Sequence, residues 1–361
     1  MGFRYIGVKA AVMDEVLTAT REAVGDRGHV ADLMCGTAAV SVALREQGYR
    51  VTANDLMTYS YHHARVMLLF SSMPQFPNAR GFIEDMLPEG RHQTLFPLAP
   101  YEATIQALNL VSPQEGYFWR EFSMDGRPQN TPKPRNYFSP ENARKIDGIR
   151  ACVRWLRDSR QISDLEHSLL LHDLIMAAND VANIAGTYGH YLSRLAGRAN
   201  EPLKLTRTPL VLLDDAGRHR VLQGYAEDVA AEIECDLCYV DPPYMKRQYA
   251  ANYHVLETLA REDEPEAIGV SGLRPWRDQY SNFCTKTRIR DSFRAVFSRM
   301  RCPHFLVSYS EDGLLDVEQL RQLFLEFGDV TLKAFSHKRF KSNNSRLHRT
   351  ITEYLIHVRL N

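Results

Sequence analysis

The chain of 361 residues has no surplus charge of either sign, with 44 Lys and Arg against 44 Asp and Glu. Any polyanion-binding role must therefore come from where the cations sit rather than from their total. Its six cysteines lack the paired spacing of a disulfide framework, and no apolar run reaches the roughly 18 residues that a membrane span needs. No signal peptide precedes the first strand pattern. These absences point to a soluble protein of a reducing cytoplasm. Cys235 and Cys238 form the nearest pair, but three residues apart on a strand they are expected on opposite faces, and no second pair completes a metal site. There is no internal repeat, no low-complexity tract and no phosphate-binding lysine motif, and the glycine pattern falls short of the dinucleotide fingerprint. At 44% hydrophobic residues the chain suits one large or two ordinary globular domains.

The most informative stretch is Asp241-Pro242-Pro243-Tyr244, because the run before it, Cys235 to Val240, reads as a buried strand that ends there. Two prolines restrict the backbone and donate no N–H, so the carbonyls beside Asp241 stay able to accept, and Tyr244 adds a flat face. Together they suit a clamp for a planar amino group. An exocyclic base amine is a poor nucleophile because its lone pair is delocalised into the ring; a carboxylate and a carbonyl that accept its two hydrogens would localise that pair. The alternative is a strand that merely stops at a Pro-Pro turn.

Taken in order, Phe3 to Lys9, which includes Tyr5, Ile6 and Gly7, is a short loop rich in aromatic and glycine residues that ends at the start of a helical pattern. His29 to Val40 runs from a strand through Asp32 and Cys35 into a small-residue turn, Gly36-Thr37-Ala38-Ala39, and then a helix. Such a turn lets a ligand approach free N–H groups at the helix start. A second strand, Tyr49 to Asp55, ends in an acid followed by Leu56. Asp55 stands 19 residues beyond Gly36, the spacing at which a nucleoside-binding βαβ unit sets an acid on the ribose hydroxyls. From Pro74 to Glu201 the composition changes to Pro-rich links and two helices, one capped by Ser139-Pro140, the other by the capping box Ser163 to Glu166. This stretch reads as a mostly helical insertion, 74–201, within a domain formed by 1–73 and 202–361. Its cations, Arg127, Lys133, Arg135, Arg144, Lys145, Arg150 and Arg154, stand near Tyr117, Trp119, Tyr137, Tyr188 and Tyr191 and suit a polyanion-binding surface. After the clamp come a helix, a long polar loop from Ala260 to Lys286 and a final strand pair joined by a basic tip with Lys338, Arg339, Lys341, Arg346 and Arg349.

In this order the pieces resemble the Dam-like class of DNA adenine methyltransferases, which use S-adenosylmethionine. The class shows a cofactor loop like Tyr5 to Lys9, then Asp32-Leu-Met-Cys-Gly36-Thr37, an acid like Asp55, an inserted recognition region, and Asp-Pro-Pro-Tyr last. Tyr137 to Asp147, Arg247 to His254 and Lys338 to Ser342 also look like one branch of the class, so the resemblance covers nearly the whole chain. Ala38 stands where the family usually has glycine. Tyr225 stands where an acid is common, which hands contact with the cofactor adenine to Glu227 or Asp228.

The resemblance implies a class I methyltransferase fold, an α/β architecture with a twisted, mostly parallel sheet. It implies methyl transfer to the amino group of adenine in duplex DNA after the base is flipped into the clamp. The cofactor set would be Tyr5, Ile6, Gly7, Lys9, Asp32, Cys35, Gly36, Thr37, Asp55, Leu56, Glu227, Asp228 and Asp241, with Asp241 to Tyr244 also holding the base. Arg127, Lys133, Arg135 and the basic tip would contact DNA, and no metal is called for. A cognate restriction endonuclease is a natural partner for such an enzyme, and a bacterial or phage cytoplasm its setting. Three alternatives stand beside this reading. An RNA base methyltransferase usually carries its recognition parts outside the catalytic domain, cytosine amino methylation more often shows serine at the position of Asp241, and a catalytically silent nucleic-acid-binding module need not keep Asp55 and the clamp intact.

Overall fold

Strand patterns separated by helical ones build a seven-stranded sheet in the order β3-β2-β1-β4-β5-β7-β6. The computed structural model describes residues 12–87, 98–338 and 350–361. The strands are β1 His29–Asp32, β2 Arg50–Asp55, β3 Arg220–Gln223, β4 Leu237–Val240, β5 His304–Ser310, β6 Gly328–Lys338 and β7 Thr350–Leu360. The first five are parallel, and β7 runs antiparallel between β5 and β6. This is the class I methyltransferase sheet. Its order reverses at β1, which pairs with β2 on one side and β4 on the other, and in open α/β sheets ligands bind outside the carboxyl ends of the strands at such a switch point.

By contacts the chain divides into two units, and the sheet belongs to the one formed by the described residues up to Leu68, by Asp215–Ala250 and by Gln279–Asn361. Its helices include α1 Met13–Val24, α2 Ala39–Glu46 and α3 Thr58–Leu68. Alternate strand residues face one continuous core: Ala31, Cys238, Val240, Phe305, Val307, Ile356 and Val358 pack with Phe293, Val296 and Phe297 of the helix Ile289–Arg299 and with Leu320 and Phe324 of the helix Val317–Phe324. Phe297 stacks between Phe305 and Phe324, with ring centroids 4.0 and 5.1 Å apart. Cys235 joins Cys238 in this core, which corrects the expectation of opposite faces. The strand begins only at Leu237, so strict alternation does not extend back to Cys235. Among the described residues no group of three or more His, Cys, Asp or Glu side chains is placed to hold a metal ion, and no helix is long and apolar enough to cross a membrane.

The other unit comprises Leu69–Asp214 and Ala251–Asp278. It is helical, with Pro100–Leu110, Tyr117–Phe122, Pro140–Asp158 and Asp164–Asp180, and the segment after the clamp supplies a further helix, His254–Arg261. Both expected caps form: Ser139 accepts from the amide of Asn142, and Ser163 and Glu166 exchange side-chain and backbone bonds in a full capping box. A buried aromatic cluster ties the pieces together. Tyr137 Oη donates to the Tyr188 carbonyl at 2.6 Å, and His254, held neutral by burial, meets that carbonyl at 3.0 Å.

Candidate active site

Three carboxylates converge at the carboxyl ends of adjacent strands. Asp32 pairs in register with Ala53 of β2 and Tyr239 of β4, so Asp55 and Asp241 stand two residues further along on either side. They are near enough that each raises the proton affinity of Asp32. Burial is the larger cause, and the Asp32 carboxyl is pushed up to about 7. Its Oδ2 accepts from Ser41 Oγ at 2.6 Å, while the buried Oδ1 meets no hydrogen-bond donor among the described residues. A cluster of acids with an orphaned oxygen is complementary to a ligand that brings positive charge and N–H or O–H donors.

The turn after β1 is held in a defined conformation. Gly36 has φ +53° and Ala38 φ +59°, and the Ala38 amide reaches the Cys35 carbonyl at 2.7 Å. Asp55 pins this turn, since its Oδ2 accepts the Gly36 amide and its Oδ1 the Met57 amide, both at 2.8 Å. The acid expected on a ribose therefore also shapes the loop beside it. Asn54, which sequence reasoning missed, stitches three strand ends together: its side-chain amide donates to the carbonyls of Leu33 and Gly224, and its backbone carbonyl accepts from the Cys35 amide. Leu56 is held through its carbonyl by buried Gln279 at 3.0 Å. The signal for Asn54 was present as a polar residue at a buried strand end; that for Gln279 was not, because a contact between positions 56 and 279 has no local pattern.

The clamp itself is braced from behind. The Leu314 amide donates to the Tyr244 carbonyl at 3.0 Å, and the Tyr244 ring meets Tyr309 of β5 edge-on at 5.9 Å. Gln248 and Ser281 exchange two hydrogen bonds of 2.9 and 2.8 Å, fixing the chain just beyond. The remaining expected residues scatter. Glu227 accepts from Ser292 at 2.6 Å, and exposed Asp228 pairs with Arg299, so both contact the helix Ile289–Arg299. Cys35 is buried and Thr37 half-buried in the Gly36 turn. Tyr5, Ile6, Gly7, Lys9, Arg339, Lys341, Arg346 and Arg349 lie outside the described residues, as does the side chain of Lys338.

In the helical unit the expectation of an open cationic surface is corrected. Arg135 is fully buried, its guanidinium paired with Glu121 at 2.7 Å and bonded to the carbonyls of Ala267 and Gly269. Arg144, Lys145, Arg150 and Arg154 likewise bond to groups of their own unit. Tyr117, Tyr137 and Tyr188 are core residues. Arg127 and Lys133 remain exposed.

Comparison with known proteins bears on these acids and this clamp as a set. The model of the D12 class N6 adenine-specific DNA methyltransferases matches residues 5–323. The chain is 32% identical to the type II methyltransferase M.FokI of Planomicrobium okeanokoites, over 98% of this chain and 52% of that protein. It is 27% identical to the modification methylase StsI of Streptococcus sanguinis, over 98% and 51%. The chain thus spans about half the length of these two relatives. M.NlaIII of Neisseria lactamica, another type II methyltransferase, is 30% identical over 87% of this chain and 84% of its own length. The strand-end acids, the clamp on β4 and the intervening helical unit all fall inside the matched span, and a match of that extent means that the chain belongs to the D12 class of N6 adenine-specific DNA methyltransferases.

Proposed function

We propose that this protein transfers a methyl group from S-adenosylmethionine to the N6 amino group of adenine in duplex DNA, within one recognised sequence. The observation that carries the reading is the meeting of Asp32, Asp55 and Asp241 at the switch point of the sheet, with Pro242, Pro243 and Tyr244 directly after Asp241. The donor supplies an electrophilic methyl on a sulfonium. Asp55 and the Gly36 turn would hold its nucleoside, and the acid cluster favours its positive charge. Asp241 would accept one amino hydrogen of the target base and a neighbouring backbone carbonyl the other, returning the lone pair to nitrogen. Tyr244, fixed by Tyr309, would stack on the base. Flipping the adenine out of the duplex costs a few kcal/mol, which binding of the base in the clamp offsets.

The helical unit would choose the sequence, since cofactor and target base are the same whatever flanks them. Arg127, Gln129, Asn130, Lys133 and Asn136 on its Pro-rich loop are of the types that read base edges and hold phosphates. The names of the relatives, type II methyltransferase and modification methylase, extend the proposal to protection of DNA alongside an endonuclease. Incubation of purified protein with radiolabelled S-adenosylmethionine and unmodified plasmid, followed by nucleoside analysis, tests it: label should appear in N6-methyladenine. Asp241→Ala should abolish this at a cost of about 2.7–4 kcal/mol or more in transition-state stabilisation while leaving DNA affinity in place. Label in cytosine, label only in RNA, or a variant within a few-fold of the parent rate would each overturn the reading.

A further inference from the structure

Within the helical unit one short turn is held with unusual care and yet presents apolar side chains to water. Ile268 and Leu273 exchange backbone hydrogen bonds of 2.8 Å each way, and the residues between them reverse direction through Gly269 and Gly272, at φ +69° and +67°. Two fully buried side chains fasten the turn from inside: Arg135 donates to the carbonyls of Ala267 and Gly269, both at 3.0 Å, and Tyr137 shares its one hydroxyl proton between the Tyr188 carbonyl at 2.6 Å and the Ser271 carbonyl at 3.1 Å. Ser271 Oγ adds a bond to the Gly189 carbonyl at 2.8 Å. Gly272 leaves no room for a side chain, because a Cβ there would stand 2.9 Å from Arg135 and from Phe122. With the carbonyls drawn inward, Ile268 is left 51% exposed, and Val270, at 70%, is the most exposed of the large hydrophobic residues described. Ordering a backbone to keep two β-branched side chains in water gives the isolated protein no burial in return.

Its surroundings identify what these side chains meet. The loop that carries exposed Arg127, Gln129 and Lys133 is strapped to the same place, through Asn130 to Glu266 at 2.8 Å and through Gln129 and Arg135 to Glu121. The acids nearby already have partners, Glu264 in Arg150 and Asp263 in Arg274. An apolar point beside exposed cations and amides is complementary to a polyanion with flat apolar faces between its charges. Resting on the reading of this chain as a DNA methyltransferase, we propose that the Ile268–Leu273 turn is a DNA-contacting tip. Ile268 and Val270 press between stacked bases while Arg127 and Lys133 hold the adjoining backbone. Arg135, expected to contact DNA itself, acts instead by holding the tip.

The test is Ile268→Ser with Val270→Ser, measured on duplexes carrying the site that modified-base sequencing identifies, with 2-aminopurine at each position in and around it in turn. Both side chains are exposed, so the melting temperature should stay that of the parent. Affinity should fall about tenfold, the dependence of log affinity on log salt should keep its slope because no phosphate contact is lost, and the unstacking fluorescence seen with the parent should diminish. Should the double variant melt early, Val270→Thr, which swaps one methyl for a hydroxyl, carries the same readouts. Parent-like affinity and fluorescence would overturn the tip, and so would weaker binding with a shallower salt slope, which marks a phosphate contact. A parent protein that binds no duplex would overturn the functional reading and the tip together, whereas binding by parent and variants alike overturns the tip alone.

Discussion

Ala38 sits in the left-handed backbone region at φ +59°, fully buried, in the turn that faces the candidate site. A residue with a Cβ costs about 1–2 kcal/mol there, which is the physical content of the departure from glycine visible in the sequence. Ala38→Gly relieves that strain but loses a buried methyl and adds unfolded-chain entropy, so stability should stay within about 1 kcal/mol of the parent. Ala38→Val should lose about 2 kcal/mol or more, because a branched side chain must fit both the strained backbone and the closed space. Denaturant titration separates the two, and a tolerated valine would contradict the turn as described. Asp32 gives a second test. Its carboxyl titrates near 7 when folded and near 3.8 when unfolded, so between those values the native state holds a proton that the unfolded chain has released. Stability from this group therefore falls as pH rises from about 4 to about 7, and Asp32→Asn should flatten the profile across that window. Asp147 and Asp173, raised to about 6 and about 7, act in the same direction, so only part of the slope should disappear. An unchanged profile would contradict the buried acid. The strand-end acids were legible in the sequence because each closes an apolar run. Of the partners that shape them, Ser41 and Met57 lie near in the chain, whereas the Gly36 amide that Asp55 holds comes from the turn after another strand.

At the scale of elements, helices announced themselves through their caps. The loop from Ala260 to Lys286 did not. The turn at Ile268–Leu273 within it is ordered by Arg135 and Tyr137, more than a hundred residues away, so a run without periodicity proved to contain a fixed turn. For the same reason the cations of the insertion looked more available than they are: charge is visible in a sequence, but the carbonyls and carboxylates that consume it are not. Arg135→Ala should cost about 3 kcal/mol or more, since it takes the buried cation from buried Glu121, leaving that carboxylate only Arg120 and the Gln129 amide, and releases two loop carbonyls. Arg135→Lys should recover little of this, having no planar fork to span Glu121 and both carbonyls. The unfolding transition measures both, and an alanine variant as stable as the parent would remove the internal role assigned to this arginine.

For the whole molecule, chemistry and choice of sequence would fall to different units. The sheet unit would carry donor and target base, and the helical unit, which takes in 251–278 as well as 69–214, would select the site. That added segment was not legible, because it follows the clamp in sequence and is claimed by the helical core only through packing of residues such as Tyr253 and His254. Alanine at Arg127, Gln129 or Lys133 should relax preference at individual base positions by roughly 1–3 kcal/mol per lost bidentate contact, with cofactor affinity unchanged. Uniformly slower methylation at the same sites would move recognition elsewhere. The central claim is tested most directly by sequencing, with detection of modified bases, of plasmid DNA from cells that express the protein or its Asp241→Ala variant. The account predicts N6-methyladenine at one recurring short sequence with the parent and none above background with the variant. Modified cytosine, or no modification from a soluble and folded parent protein, would contradict it.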